Sequence, residues 1–183
     1  PPDDGRARLG RRLFFDPILS SDRTVACASC HDPAQGFADG EAGSLGVRGQ
    51  RTPRNAPTLF NRALGRHFSW DGKAATLEEQ VLLPIANPVE MDLELDAAVA
   101  RLAEDATYAA AFAETFGRAP ARDDLAAALA AFVRLALLGD SPVDRFRAGE
   151  FAALSASERS GLWFYESRGA CWRCHSGPNF TDE

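Results

Sequence analysis

The sequence predicts an all-α protein of two helical domains joined by long loops, on three observations. Apolar residues recur at three- and four-residue spacing over much of the chain. The alternation of a half-buried strand is almost absent. A five-residue motif, Cys-x-x-Cys-His, occurs once towards each end, as Cys27-Ala-Ser-Cys30-His31 and as Cys171-Trp-Arg-Cys174-His175.

The elements follow in order. The stretch "DDGRARLGRRLFF" predicts a first helix with Leu9, Leu13 and Phe14 on one face. Residues 32–57 are rich in Gly, Pro, Asp and Arg and have no apolar period; loops of such length in compact domains are usually functional. Helix resumes at "TLEEQVLLPI", where Thr76 and Glu79 have capping-box spacing, and is predicted to end at Pro84 and the following "NPVEM". "LDAAVARLAED", "TYAAAFAETFG" and "ARDDLAAALAAFVRLALLG" read as further helices, the last apolar enough for the core. "LSASERSGLWFYESRGACWRCH" opens on a second capping box, Ser155 to Glu158, and reaches the second motif through a helix stop at Gly169. One domain is predicted over 1–150 and the start of another over 151–183.

The 183 residues suffice to bury a core, and 45% of them are hydrophobic, which excludes a chain disordered by composition. No apolar run approaches the ~18 residues of a membrane span. A net charge of −6 argues against nucleic acid as a partner and favours a basic or weakly docking one.

All four cysteines lie in the two motifs. A redox dithiol has no use for a histidine after each copy. A zinc site remains an alternative, although adjacent Cys and His are poorly placed to close one tetrahedron. Covalent c-type haem accounts for every residue: two thiols add to the porphyrin vinyl groups and the next histidine ligates the iron. Two c-type haems are therefore expected, held by Cys27, Cys30 and His31 and by Cys171, Cys174 and His175, each in a cytochrome-c-like helical domain. Such haems are attached outside the cytoplasm, and "PPDDGRARLG" has no apolar signal segment, so a processed periplasmic chain is expected. Few residues follow His175, so a further C-terminal segment of the same protein is expected to complete the second domain.

The segments "LGRRLFFDPILSSDRTVACASCHDPAQGFADG", "RNAPTLFNRALGRHFSWDGKAATLEEQVLLPIANPVEM" and "GACWRCHSGPNFTDE" resemble, in order, the bacterial di-haem cytochrome c peroxidase family. That family includes the enzyme that matures the tryptophan cofactor of methylamine dehydrogenase. The resemblance implies a peroxide-reactive haem in the N-terminal domain and an electron-transfer haem in the C-terminal one. It also implies roles for single residues. Glu90 matches the acid of the peroxide pocket; read alone, it would be a solvated surface charge. Trp70 matches a tryptophan that relays electrons between haems; read alone, it could be a core aromatic. Gln80 and Pro84 match positions lining the same pocket and could equally be a helix-surface residue and a helix terminator. Asn55 matches a calcium ligand and otherwise reads as a turn residue.

One departure separates this sequence from the gated members of the family. Where they carry a histidine that binds the peroxide-reactive iron and later leaves it, this chain has Val47, which cannot ligate. His67 is not matched to a ligand position, and Met91 is expected in the core. An open iron position is therefore expected, as in the cofactor-maturing branch. Hydrogen peroxide is the expected substrate, forming a high-valent iron state that oxidises either a small redox protein or a residue of a protein partner. A non-enzymatic di-haem electron carrier is the alternative.

Overall fold

A computed structural model describes residues 5–177 and 179–181. The protein is all-α. Among the described residues there are no β-strands, only three isolated antiparallel bridges. The chain divides into two compact units, one ending at Ala136 and the other beginning at Leu137. This division falls earlier than the boundary expected after residue 150, because the short helix and turn of residues 142–153 pack on each other through Phe146 and Phe151, with ring centroids 5.7 Å apart.

The first unit is built on helices α1 (Gly5–Phe15), α2 (Cys27–Cys30), α3 (Leu77–Ala86), α4 (Leu95–Glu104), α5 (Ala106–Phe116) and α6 (Arg122–Val133). Asp3 and Asp4, included in the predicted first helix, lie outside the described residues. Helix α1 turns Leu9, Leu13 and Phe14 into the core, the face its periodicity predicts. It crosses α6 closely at Gly10, where a Cβ would stand 1.8 Å from the carbonyl oxygen of Ala128. Around this crossing pack Leu125, Leu129, Leu102, Phe112 and Tyr108. Asp105 caps α5 by accepting from the N–H groups of Thr107 and Tyr108. Gly117 ends α5 in the left-handed region at φ 72°.

Two helix ends differ from their prediction. Helix α3 runs through Pro84 to Ala86. Proline there sacrifices only the bond to the Gln80 carbonyl, and the carbonyl of Pro84 itself receives the N–H groups of Asn87 and Met91. The apolar run predicted as one helix to Leu138 stops at Val133, where Leu135 and Ala136 close tighter turns and the Ala136 carbonyl is taken by the N–H of Asn61. Thr76 caps α3 as its spacing predicts, but Glu79 reaches back to the N–H of Ala75 instead of that of Thr76.

The second unit contains α7 (Pro142–Arg147) and α8 (Ala156–Glu166). Both start at reciprocal capping boxes, Ser141 with Asp144 and Ser155 with Glu158. Helix α8 ends at Glu166, and the N–H of Gly169 returns to the carbonyl of Phe164. A 3-10 turn at Cys171–Arg173 carries the second motif.

Candidate haem and peroxide site

The first Cys-x-x-Cys-His motif folds as one helical turn. Cys27 and Cys30 are the first and last residues of α2, so both thiols lie on one face. The Ser29 hydroxyl caps the turn by accepting from the Ala26 N–H at 3.0 Å. None of the four cysteines is in a disulfide. Burial pushes the Cys27 thiol up to about 12 and raises that of Cys30. His31 follows at the C-cap, its N–H on the Cys27 carbonyl at 2.9 Å.

The Nδ1 atom of His31 lies 3.0 Å from the carbonyl oxygen of Phe37. A carbonyl only accepts, so Nδ1 carries the proton and Nε2 carries the lone pair, the tautomer a metal-ligating histidine needs. Burial lowers the pKa of His31 and keeps the ring neutral. Two thiols on one turn and a neutral imidazole at its end fit a c-type haem. Among the described residues no three His, Cys, Asp or Glu side chains converge as a metal site.

The second motif repeats this chemistry. His175 Nδ1 lies 3.2 Å from the Phe180 carbonyl, and the hydroxyl of Tyr165 donates to the carbonyl of His175. His175 lines a cleft of about 390 Å³ with Tyr165, Trp172, Phe180 and Arg147. Cys171 and Cys174 are exposed.

Glu90 stands in the turn that follows α3. The Asn87 amide donates to its Oε1 at 2.8 Å, and the Asn87 Oδ1 accepts from the Val89 N–H at 3.0 Å. The carboxylate lies near enough to Cys30 for its charge to raise that thiol. Burial raises the pKa of Glu90 itself, opposed by the Asn87 hydrogen bond and by the charge of Lys73. The structure thus brings Glu90, Cys30 and the loop around Val47 together: the Val47 N–H donates to the Glu90 carbonyl at 2.8 Å. Val47 is 0% exposed and belongs to the core with Met91, so protein atoms alone already cover its side chain.

Trp70 occupies the tip of a turn closed by pairing of Phe68 with Ala74. Phe68 and Ala74 are buried against Leu77, Ala130 and Val133, whereas Trp70 is 59% exposed. It is not a core aromatic. Its indole N–H donates to the backbone carbonyl of Asn55 at 2.9 Å. Gln80 points to the same turn and accepts from the hydroxyl of Ser69. Pro84 is partly buried inside α3, and Asn55 and His67 are exposed.

Sequence reasoning did not find the carbonyls of Phe37 and Phe180 that orient the two histidines, nor Asn87. Backbone acceptors leave no residue-type signal, but the Asn87-Pro88 dipeptide is a turn signal that marks the Glu90 segment.

Residues 4–152 match the family model described as di-haem cytochrome c peroxidase. The chain is 38% identical over 180 residues to the methylamine utilization protein MauG of Methylorubrum extorquens, covering 97% of this chain and 51% of that protein. It is 36% identical to the cytochrome c peroxidase Ccp of Escherichia coli, covering 97% of this chain and 38% of that protein. Among solved structures, a MauG-like protein associated with microbial copper homeostasis superposes with a TM-score of 0.87 at 35% identity, covering 100% of this chain and 55% of its own. The diheme peroxidase BthA from Burkholderia thailandensis gives 0.82 at 30% identity, covering 100% and 54%. The chain spans about half the length of the MauG relative and of both solved structures, and less of the Escherichia coli protein. With the matched model covering most of its residues, the chain belongs to the di-haem cytochrome c peroxidase family.

Proposed function

We propose that the chain is the haem-attaching part of a periplasmic di-haem oxidoreductase that reacts with hydrogen peroxide in the unit ending at Ala136. Cys27, Cys30 and His31 would hold one haem, and Cys171, Cys174 and His175 the other. A bound haem supplies a redox-active iron that can take up a peroxide oxygen.

The chain's own residues do the rest. Glu90 takes a proton from one peroxide oxygen and returns it to the other, so that water leaves. Oε1 is engaged by Asn87, which assigns the proton to Oε2. Gln80 and Pro84 wall the same pocket, and Gln80 ties the Trp70 turn to α3 through Ser69. Trp70, exposed and anchored at its N–H, is the residue of this unit suited to relay electrons to a second centre. Exposed Asn55 would offer one amide oxygen to a calcium ion. Buried Val47 favours the branch in which no histidine must leave the iron first. The electrons come from a small redox protein or from an aromatic side chain of a partner protein.

The observation that carries this reading is the half-buried Glu90 carboxylate beside Cys30, aimed by Asn87. It is tested by mixing the full, haem-loaded protein with hydrogen peroxide without prior reduction and following the haem spectrum. A rapid spectral change with loss of peroxide is expected. A protein that leaves peroxide unconsumed, or that needs one haem reduced beforehand, overturns it.

A further inference from the structure

The loop of residues 44–52 is held on itself and on the Glu90 turn at many points. It closes as a short hairpin: the Gly46 N–H donates to the Gln50 carbonyl at 2.8 Å, the Thr52 N–H to the Ser44 carbonyl at 3.0 Å, and the Ser44 N–H to the Thr52 hydroxyl at 2.8 Å. Its tip passes through the left-handed region at Arg48, φ 56°, and Gly49, φ 71°. From this hairpin three groups grip the turn after α3. The Val47 N–H donates to the Glu90 carbonyl at 2.8 Å. The Gln50 amide donates to the Pro88 carbonyl at 3.2 Å. The Arg48 guanidinium pairs with the Asp92 carboxylate at 2.7 Å.

Gly46 shows how tightly the two segments meet. A Cβ there would stand 1.9 Å from the carbonyl oxygen of Val89 and 2.8 Å from that of Glu90. Both are backbone atoms with no rotamer to swing away, so only glycine allows this approach. On the far side of the contact, Glu90 is fixed again by its N–H on the Asn87 carbonyl at 3.0 Å and its Oε1 on the Asn87 amide. Ser44, at the base of the hairpin, lies close enough to Cys30 to lower its thiol pKa against the larger, opposite effect of burial. The loop therefore spans from the thiol position to the carboxylate.

We propose that the 44–52 hairpin is a fixed clamp that positions Glu90, with Arg48 and Gln50 as positioning residues and Gly46 as the point of closest approach. In this role the loop that carries a departing ligand in gated relatives instead holds the proton-moving side chain in register with Cys30. The clamp rests on the reading of Glu90 as the proton carrier. A carboxylate that must meet a peroxide oxygen within hydrogen-bond reach gains from such fixing, because a displacement of about 1 Å can cost on the order of 10²-fold in rate.

The test uses the full, haem-loaded protein and the variants Gln50→Leu, Arg48→Gln and their combination. Arg48 is exposed and Gln50 half-buried, and neither change touches the close approach at Gly46. Two measurements are made: hydrogen exchange at the Val47 amide, and the pH profile of the peroxide reaction. The double variant is expected to exchange the Val47 amide about tenfold faster or more, to react about tenfold more slowly with peroxide, and to shift the pH profile while its haem content stays at the wild-type value. Arg48→Lys, which keeps a cation opposite Asp92, is expected to recover most of the rate lost in Arg48→Gln. Faster exchange with an unchanged rate and pH profile overturns the positioning role and leaves a surface staple. Unchanged exchange overturns the clamp itself. Glu90→Gln is run in parallel: a wild-type rate there overturns the proton-carrier reading, and the positioning role with it, while the exchange measurement still reports on the clamp.

Discussion

His31 donates from Nδ1 to the carbonyl oxygen of Phe37 across 3.0 Å, and His175 makes the same bond to Phe180 across 3.2 Å. In both motifs the histidine is oriented by a backbone group a short loop away, not by a carboxylate. No substitution at either phenylalanine removes its carbonyl, so the tautomer is built into the path of the chain.

The two motifs therefore predict two covalently attached haems. Intact mass under denaturing conditions is expected to show two haem increments, and Cys27→Ala with Cys30→Ala to show one. A wild-type mass with a single increment rules out one of the motifs as an attachment site.

Val47 predicts the resting state. Its N–H is bonded to Glu90 and its side chain is 0% exposed, so the position faces packed protein. Paramagnetic resonance of the ferric, unreduced protein is expected to show one high-spin centre. Val47→His by itself is expected to leave that signal in place and to lower stability by about 1–3 kcal/mol through overpacking. A conversion to two low-spin centres in this variant means that the loop moves far enough to deliver a ligand.

Gly10 carries the α1–α6 crossing. Gly10→Ala places a Cβ against the backbone of Ala128, which has to yield. A loss of about 1–3 kcal/mol in denaturant unfolding is expected, against a gain for the same change on an open helix face. A neutral result sinks the claim that this close approach is required.

Much of this was legible in the sequence, for physical reasons that differ by element. Helices α1, α4, α5 and α8 carry their own signals, helical apolar spacing in each with Asp105 capping α5 and Ser155 capping α8, and local signals survive whatever the tertiary context. The end of α6 was not legible, because "RLALLG" has helical propensity and the stop comes from Asn61, far away in sequence, taking the Ala136 carbonyl. Helix α7 was not predicted, although Ser141-Pro142-Val143-Asp144 carries a capping box with proline in the first turn. The haem motifs were legible because thiols and imidazole have few other uses at that spacing. The grip of Arg48 and Gln50 on the 88–92 turn was not, since charged and amide side chains in a loop read as solvated until their partners are known.

Trp70 is expected to separate peroxide chemistry from charge transfer. Trp70→Phe keeps an aromatic ring at an exposed tip but loses the indole and its hydrogen bond to the Asn55 carbonyl. In rapid mixing, the first reaction with peroxide is expected within about twofold of wild type, because Glu90 and Asn87 are untouched. Oxidation of the second haem is expected to slow by at least about tenfold. Equal rates for both steps in variant and wild type remove Trp70 from the electron path.

Glu90 connects rate, pH and stability with opposite signs that one variant can separate. Burial raises its pKa in the folded protein, with the Asn87 hydrogen bond and the nearby Lys73 charge opposing and Cys30 the other titratable group beside it. As a base it must be ionised, so the peroxide rate is expected to fall as pH drops through that raised pKa, beginning at higher pH than for an exposed carboxylate. For stability the sign is reversed. A folded-state pKa above the unfolded value means that the native protein binds this proton more tightly, so the group's favourable contribution is present below the unfolded pKa and is lost as pH rises through the folded one. Near neutral pH the ionised, desolvated Glu90 is thus a destabilising element. Glu90→Gln keeps an oxygen for the Asn87 amide and removes the charge. It is expected to unfold at the same or slightly higher denaturant concentration at neutral pH, while the peroxide rate falls by ~10²–10⁴-fold and loses its acid limb. A variant that is slow only because it is unfolded, or one that keeps the wild-type rate, shows that Glu90 is not the proton carrier.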